Sequence, residues 1–284
     1  MKKKLKKDTM WAYVFILVPL CTFTIFTLYP VVSAAITSFQ EYKPMGSEWV
    51  GLDNYVHTLK NDLFYKALWN TFVYAIITVP VSMLLSFSIS IMILPYRKKI
   101  QTVFKAAYYL PAIASGVALS FVWKWIYDPM STGLLNSVLG AFGVPNQNWL
   151  GSGKTAMASL IIMAVFAGLG QNVIIYTAAL LGVDSTYYEA ADIDGATFWQ
   201  KVRYMVKPTT VFLAITGVIN GLQSFQNAYL MTGGGPDNAT TMAGLLIFNR
   251  AFKYFEYGEA CAQALLLAAI ISVFSIFQFR LNSA

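Results

Sequence analysis

Polar side chains that can hydrogen-bond a neutral solute interrupt the uncharged stretch 208–236. They are spaced i, i+3, i+4 and i+7, which predicts one polar stripe along an apolar helix: Asn220, Gln223, Ser224 and Asn227. A second, weaker cluster lies in the uncharged stretch 155–183 and comprises Gln171, Asn172 and Tyr176. If these helices span a membrane, such groups face the interior of the helix bundle rather than lipid. The pattern predicts a path for a polar solute, with hydrogen bonds between helices as the alternative interpretation.

Groups for catalysis or metal binding are scarce in this chain. His57 is the only histidine, so a His-based catalytic site or a zinc site is not expected. Cys21 and Cys261 lie in or beside apolar stretches and offer neither a disulfide framework nor a metal-binding spacing. We therefore expect no enzyme activity, no metal and no cofactor on this chain.

Residues 151–155 read GSGKT, which resembles the end of a phosphate-binding loop. The full pattern needs a glycine at position 148, where this chain has Asn148, and it also needs a preceding strand. The sequence predicts a polar loop there instead. We therefore expect the chain to have no ATP site of its own.

The segment 184–208, DSTYYEAADIDGATFWQKVRYMVKP, predicts two helices separated by a glycine. Thr186 followed by Glu189 predicts a capping box at the start of the first helix, and Gly195 interrupts that helix. Residues 196–206 can resume as an amphipathic helix, whose apolar side comprises Phe198, Val202 and Met205 or Val206.

The first of these helices carries a small apolar face. Ala190 and Ala191 allow close approach by another surface, and acids surround them: Glu189, Asp192 and Asp194. The segment therefore predicts a docking site for a partner protein, with an ordinary interfacial loop as the alternative.

Composition places these elements in a membrane. The 284 residues are 57% hydrophobic and only 12% charged, whereas soluble domains carry roughly 25% charged residues. A helix needs about 20 apolar residues to cross the hydrocarbon core. Six stretches without charged residues predict spans at about 11–38, 70–94, 107–127, 156–182, 209–230 and 261–279. The stretch 129–153 is uncharged but rich in Gly, Asn and Pro, so it predicts a loop with a short surface helix.

The distribution of lysine and arginine predicts that both termini are cytoplasmic. With the N-terminus inside, the segments 1–10, 95–107, 184–208 and 280–284 carry 13 of the 20 basic residues. The opposite orientation would place MKKKLKK and PYRKKIQ outside. The first apolar segment is too long for a cleaved signal peptide, so we expect it to remain as the first span.

The segment EAADIDGA, followed by an amphipathic run and a proline, resembles the EAA loop of permease subunits in binding-protein-dependent ABC importers. The matching positions are Glu189, Ala190, Ala191, Asp194, Gly195, Ala196 and Pro208, the last at the start of the fifth predicted span. Met205 and Lys207 stand where the family usually has Ile and Leu. Other motifs are similar to the carbohydrate group of these permeases, in particular to the maltose-type first subunit: Tyr29-Pro30, Ser38-Phe39, Gly51-Leu52, Asn54-Tyr55, Trp69-Asn70-Thr71, Tyr109-Leu110-Pro111, Asp128-Pro129, Gly133-Leu134-Leu135-Asn136 and Thr232-Gly233-Gly234-Gly235-Pro236.

This resemblance implies an all-α integral membrane protein with six transmembrane helices and the type I permease fold, in one domain over residues 1–284. It implies a second homologous permease subunit, two ATPase subunits that hold ATP and Mg²⁺, and an extracytoplasmic binding protein that delivers a sugar or oligosaccharide. The EAA loop would dock on the ATPase, with Gly195 supplying the bend. The solute would cross the cytoplasmic membrane of a prokaryote by alternating access, along a path lined by Asn220, Gln223, Ser224, Asn227, Asn172 and Tyr176.

Other functions are weighed against this one. An ion-coupled secondary transporter commonly carries buried carboxylates, and no Asp or Glu lies inside the six predicted spans. An ABC permease for another solute, such as glycerol phosphate or a peptide, is the nearer alternative. An anionic solute favours basic residues in the path, and the predicted spans lack basic residues apart from Lys124. Lys124 has aromatic neighbours that predict snorkelling to the membrane interface: Trp123, Trp125 and Tyr127.

Overall fold

The computed structural model of the protein describes residues 2–43 and 46–283. Its helices are α1 (Lys2–Phe23), α2 (Tyr29–Thr37), α3 (Asp53–Lys60), α4 (Asp62–Ile93), α5 (Lys98–Ile113), α6 (Gly116–Ile126), α7 (Leu134–Gly140), α8 (Ala156–Leu181), α9 (Ser185–Ile193), α10 (Phe198–Leu222), α11 (Gln226–Met231), α12 (Ala243–Phe252) and α13 (Tyr257–Ser283). A π-helical turn, Thr24–Leu28, joins α1 to α2. Strands β1 (Gln40–Lys43) and β2 (Gly46–Trp49) pair antiparallel, with Gln40 opposite Trp49.

Contacts between residues divide the chain into two compact units. The first comprises Met1–Asn61 with Ile247–Ala268, and the second comprises Asp62–Leu246 with Ala269–Ala284. Helices α12 and α13 each contribute residues to both units.

In the first unit, one asparagine holds the turn between α2 and β1. Asn54 Nδ2 donates to the carbonyl oxygens of Ser38 at 2.9 Å and Gln40 at 3.0 Å. The hydroxyl oxygens of Tyr55 and Ser38 lie 2.8 Å apart. The motifs Ser38-Phe39 and Asn54-Tyr55 therefore fix the start of the β-hairpin against α3.

In the second unit, the segment that follows TGGGP is bonded to α4. Asn70 Nδ2 donates to the carbonyl oxygens of Asn238 at 3.0 Å and Thr241 at 2.9 Å. Thr71 Oγ1 accepts the backbone N–H of Ala243 at 2.9 Å. The Trp69-Asn70-Thr71 motif therefore holds the segment 238–243 against α4, which explains why Asn70 and Thr71 are polar.

Three serines on one face of α4 join it to α8. They are spaced i, i+4 and i+8: Ser82, Ser86 and Ser90. Ser86 Oγ and Ser90 Oγ each donate to a carbonyl oxygen of α8, on Leu169 and Val173, at 3.2 Å. Small hydroxyl side chains let two helices approach closely in a membrane and supply hydrogen bonds across the interface.

Glycines mark the other close helix contacts of this unit. A Cβ placed on Gly170 of α8 would lie 2.1 Å from the carbonyl oxygen of Tyr108 in α5. On α10, Gly217 and Gly221 lie one turn apart and face α4, where a Cβ on Gly221 would lie 3.0 Å from that of Ala75. The four helices α4, α5, α8 and α10 therefore pack through small residues, as membrane helices do.

Within residues 2–43 and 46–283, five helices are long and apolar enough to cross a membrane: Thr9–Thr37, Asp62–Ile93, Ala156–Leu181, Phe198–Leu222 and Tyr257–Arg280. Helices α5 and α6 pass the same test together, but they bend by 98° at the break between them. The predicted six spans fit the described residues if this bent pair counts as one.

The structure differs from the prediction of a continuous third span over 107–127. Ala114 and Ser115 have extended backbones, with ψ of 145° and 133°, and these two residues separate α5 from α6. Pro111 has no N–H to donate and so weakens the helix just before the break. The stretch 106–123 contains no charged residue, so the charge pattern did not indicate this bend.

The fifth span also differs from its predicted bounds of 209–230. Helix α10 begins at Phe198, runs through Pro208 and ends at Leu222, and α11 begins only at Gln226. Pro208 is therefore inside a helix and not at the start of a span. The amphipathic segment that follows the glycine break and the membrane span form one helix.

The last span begins at Tyr257 rather than at the predicted 261, which places the buried Glu259 in its first turn. Within the first unit, Glu259 Oε2 lies 3.1 Å from His57 Nδ1, and Glu259 Oε1 accepts a hydrogen bond from Gln263 Nε2 at 2.9 Å. Arg250 Nε lies 3.4 Å from Glu259 Oε1. Glu259 lies just before the predicted bounds of 261–279, at the start of the helix, where its carboxylate is close to the cation of Arg250.

The uncharged stretch 129–153 contains one short helix, α7, as predicted. Asn136 organises this loop, since its side chain donates to the carbonyl oxygens of Asp128 at 3.1 Å and Gln147 at 3.0 Å. It also accepts the indole N–H of Trp149 at 2.8 Å. Residues 151–155 follow as a turn that leads into α8, without the strand that a phosphate-binding loop needs.

Candidate functional site

A polar cavity of 520 Å³ lies between α4, α8 and α10 in the second unit. Amide, hydroxyl and phenol groups line it: Tyr74, Thr78, Ser82, Gln171, Asn172, Thr216, Asn220, Ser224 and Asn227. No acidic, basic or histidine side chain is among the described residues that line it. The cavity can therefore hydrogen-bond a neutral polar solute but offers no counter-charge to an ion.

Tyr74 on α4 connects the polar groups that follow α10. Its side chain is 3% exposed, and its hydroxyl lies 3.4 Å from Ser224 Oγ and 3.5 Å from Asn227 Nδ2. Ser224 lies in the turn between α10 and α11, and Asn227 lies in α11. The sequence analysis missed Tyr74 because a single tyrosine in an apolar stretch carries no periodic signal.

The sequence predicts that four polar residues lie on one face of a continuous helix, but the helix breaks after Leu222. Asn220, Ser224 and Asn227 still meet at the cavity, because the turn redirects the chain toward Tyr74. Gln223 ends α10 as its C-cap, is exposed and does not line the cavity. An unbroken helix would have kept all four residues on one face.

The second predicted cluster is divided between two places. Gln171 and Asn172 line the cavity, and Asn172 Nδ2 donates to Ser82 Oγ at 3.0 Å. Asn172 therefore both joins α8 to α4 and faces the solute space. Tyr176 lies outside the cavity, where its ring packs edge-on against Phe87 with 5.4 Å between centroids.

The segment 184–208 forms two helices with a glycine turn, as predicted, but its caps differ. Asp184 is the N-cap of α9, and its carboxylate accepts the backbone N–H and the hydroxyl of Thr186, both at 2.9 Å. The predicted capping box from Thr186 to Glu189 is therefore wrong, because the helix begins two residues earlier, with Asp184 as its N-cap. These hydrogen bonds lower the pKa of Asp184, and the bond from the Thr186 backbone N–H has the larger effect. The cap is lost only as the pH falls through that lowered pKa.

Gly195 makes the turn between α9 and α10 with a φ of +71°. The turn is closed by the Ala196 N–H, which donates to the Ala191 carbonyl at 2.9 Å. Thr197 and Gln200 then form a capping box that starts α10, a signal that the sequence pattern T-x-x-Q carries but that the sequence analysis missed. An ion pair between Lys201 and Asp192 ties the two helices together.

The surface around this turn is exposed and partly apolar. A concavity of 340 Å³ is lined by Ala191, Asp194, Gly195, Ala196, Gln200, Lys201, Tyr204 and Met205. Glu189 and Ala190 are exposed beside it, and Ile193 is 87% exposed. The structure therefore brings the EAA-like residues into one preformed surface, except Pro208, which lies further along α10.

Comparison with known proteins places this geometry in a family. Residues 55–284 match the family described as "Binding-protein-dependent transport system inner membrane component". The arabinooligosaccharides transport system permease protein AraP of Bacillus subtilis (strain 168) is 33% identical over 93% of this chain and 85% of its own. The multiple sugar-binding transport system permease protein MsmF of Streptococcus mutans serotype c (strain ATCC 700610 / UA159) is 31% identical over 96% of this chain and 95% of its own.

A solved structure has the same fold. It is a chain of a bacterial alginate ABC transporter in complex with an alginate pentasaccharide-bound periplasmic protein. The similarity has a TM-score of 0.82 at 23% sequence identity and covers 97% of this chain and 94% of that one.

Proposed function

The chain belongs to the family of binding-protein-dependent transport system inner membrane components and is a multi-pass permease of an ABC importer, and we propose that its solute is a neutral sugar or oligosaccharide. The observation that carries this proposal is the uncharged polar cavity between α4, α8 and α10. The names of the relatives AraP and MsmF refer to transport of arabinooligosaccharides and to multiple sugar binding, which supports the same class of solute. A phosphorylated or carboxylated solute is disfavoured, because no basic side chain lines the cavity among the described residues.

The proposed assembly contains a second homologous permease, two ATPase subunits that bind ATP and Mg²⁺, and an extracytoplasmic sugar-binding protein. The complex lies in the cytoplasmic membrane of a prokaryote. Both termini of this chain lie on the cytoplasmic side. The surface around Gly195 docks on the ATPase, with Glu189 and Asp194 as its acidic contacts. Closure of the ATPase dimer on ATP moves this rigid helix pair and switches the bundle between inward-facing and outward-facing states.

An ion-coupled transporter has less support. Among the described residues that line the cavity there is no carboxylate to carry a proton or sodium ion. The one buried acid of the last span, Glu259, is bound by Arg250, Gln263 and His57 in the first unit.

Co-purification tests the proposed assembly. The tagged chain is expressed with its neighbouring genes, extracted in mild detergent and analysed by mass spectrometry. We expect a second six-span permease and an ATPase with a phosphate-binding loop. A lone chain that transports a sugar in liposomes without ATP would contradict the assembly and would favour ion coupling.

Removal of the cavity amides tests the path. We expect Asn220→Leu with Asn227→Leu to reduce uptake of radiolabelled di- and trisaccharides by roughly tenfold or more, because two hydrogen-bonding groups that line the cavity are lost. Assembly of the complex should be unchanged. Gln223→Leu is the matched control, since Gln223 is exposed outside the cavity, and it should transport normally. If the double variant loses assembly and shows no separate transport defect, these amides only join helices.

A further inference from the structure

A second groove, mainly apolar, runs along the second unit beside α4 and α10. Its volume is 790 Å³, and its lining shares only Val79 and Met83 with the polar cavity. Apolar side chains from the two helices form its walls, including Ile76, Pro80, Leu84, Val211, Ala214 and Val218. Ile76 is 64% exposed and Leu84 is 66% exposed, so the walls are open to the surroundings of the helix bundle.

One end of this groove is cationic. Arg203 and Lys207 lie one turn apart on α10, and both line the groove together with Trp199, one further turn toward the start of the helix. No carboxylate of the described residues lies within ion-pair distance of either cation, whereas Lys201 on the same helix is paired with Asp192. Two like charges at i and i+4 repel each other, so this end of the groove favours an anion.

We propose that this groove binds an anionic phospholipid, with its phosphate between Arg203 and Lys207 and an acyl chain along α4 and α10. Both helices span the membrane, so an acyl chain reaches the apolar walls without leaving the hydrocarbon. Basic pockets at the ends of membrane helices recognise anionic headgroups, and Trp199 is the residue type that lies at the headgroup level. The inference does not depend on which solute the cavity accepts.

Charge complementarity selects this occupant over a peptide. An apolar helix of a partner would fill the walls but would leave both cations without a counter-ion. A single phospholipid covers the apolar walls with its acyl chain and pairs its phosphate with both cations. Zwitterionic lipids carry their own cation, so they should bind less well than phosphatidylglycerol.

Native mass spectrometry of the purified transporter complex tests this proposal. Dioleoyl phosphatidylglycerol is titrated against dioleoyl phosphatidylcholine as the neutral probe. We expect Arg203→Gln with Lys207→Gln to weaken binding of phosphatidylglycerol roughly thirtyfold and to leave the binding of phosphatidylcholine unchanged. The matched control is Lys98→Gln with Lys99→Gln, which removes two exposed charges at the start of α5 and should have no effect.

The charge-retaining variant Arg203→Lys with Lys207→Arg should bind phosphatidylglycerol within a few-fold of the unmodified chain. Equal losses in the glutamine variant and in the Lys98/Lys99 control, or equal binding of both lipids, would overturn the proposal. If the glutamine variant does not accumulate, a phosphatidylglycerol with a photoreactive acyl tail is cross-linked to the unmodified complex. Adducts should map to residues 76–87 and 211–218, and adducts only elsewhere would show that another polypeptide covers the groove.

Discussion

We expect Gly195→Pro to reduce uptake of radiolabelled oligosaccharides severely, while the chain still inserts in the membrane at its normal level. Gly195 has a φ of +71°, whereas a proline ring fixes φ near about −65°. The turn must therefore open, and α9 can no longer lie in its position against α10. Strain of this kind costs about 1–3 kcal/mol, so we expect uptake to fall roughly 10- to 100-fold.

Gly195→Asn is the matched control for this result. Asparagine tolerates the left-handed conformation, and a Cβ at this position meets no atom within 4 Å. We expect near-normal uptake and normal co-purification of the ATPase with this variant, and loss of the ATPase with Gly195→Pro. Normal uptake by the proline variant would remove the coupling role from this turn.

A charge at Ala190 tests the docking surface without changing the turn. Ala190 is exposed on α9, so Ala190→Arg should leave the helix pair folded. We expect the variant to lose the ATPase during purification, because a bulky cation replaces a small side chain at the proposed contact. If the ATPase is retained and uptake is normal, the contact lies elsewhere.

We expect Gly170→Val to leave little folded protein. A Cβ at this position would lie 2.1 Å from the carbonyl oxygen of Tyr108 and 2.6 Å from the Cα of Tyr109. These are backbone atoms of α5, so relief requires the two helices to separate. Overpacking of a core typically costs about 1–3 kcal/mol, and a backbone clash this close should exceed that range.

Thermal denaturation in detergent, followed by size-exclusion chromatography, measures this effect. Gly170→Ala should already lower the midpoint, and Gly170→Val should leave little monodisperse protein. Gly217→Ala should have an intermediate effect, because its Cβ would meet the Val79 side chain at 2.9 Å, which can move. Gly140→Ala should be neutral, since nothing lies within 4 Å of that position. Equal midpoints for Gly170→Ala and Gly140→Ala would contradict the close contact of α8 with α5.

The sequence determined the class of the protein and much of its local structure. Charge-free stretches of spanning length identified the membrane segments, because the hydrocarbon core excludes charge regardless of how the helices pack. Gly195 marked the turn between α9 and α10, because glycine adopts a φ of +71° at the lowest cost. The order of short motifs identified the family that the comparison confirms. The assignment of individual residues to docking and to the solute path remains a prediction.

Only the tertiary structure decided where the chain bends and which polar groups meet. The breaks at residues 114–115 and 223–225 each lie within one uncharged stretch, so the charge pattern did not reveal them. The second break excludes Gln223 from the cavity and brings Ser224 toward Tyr74, a residue 150 positions earlier in the chain. Hydropathy reports the burial of one segment at a time, whereas a cavity is set by contacts between helices that are distant in sequence.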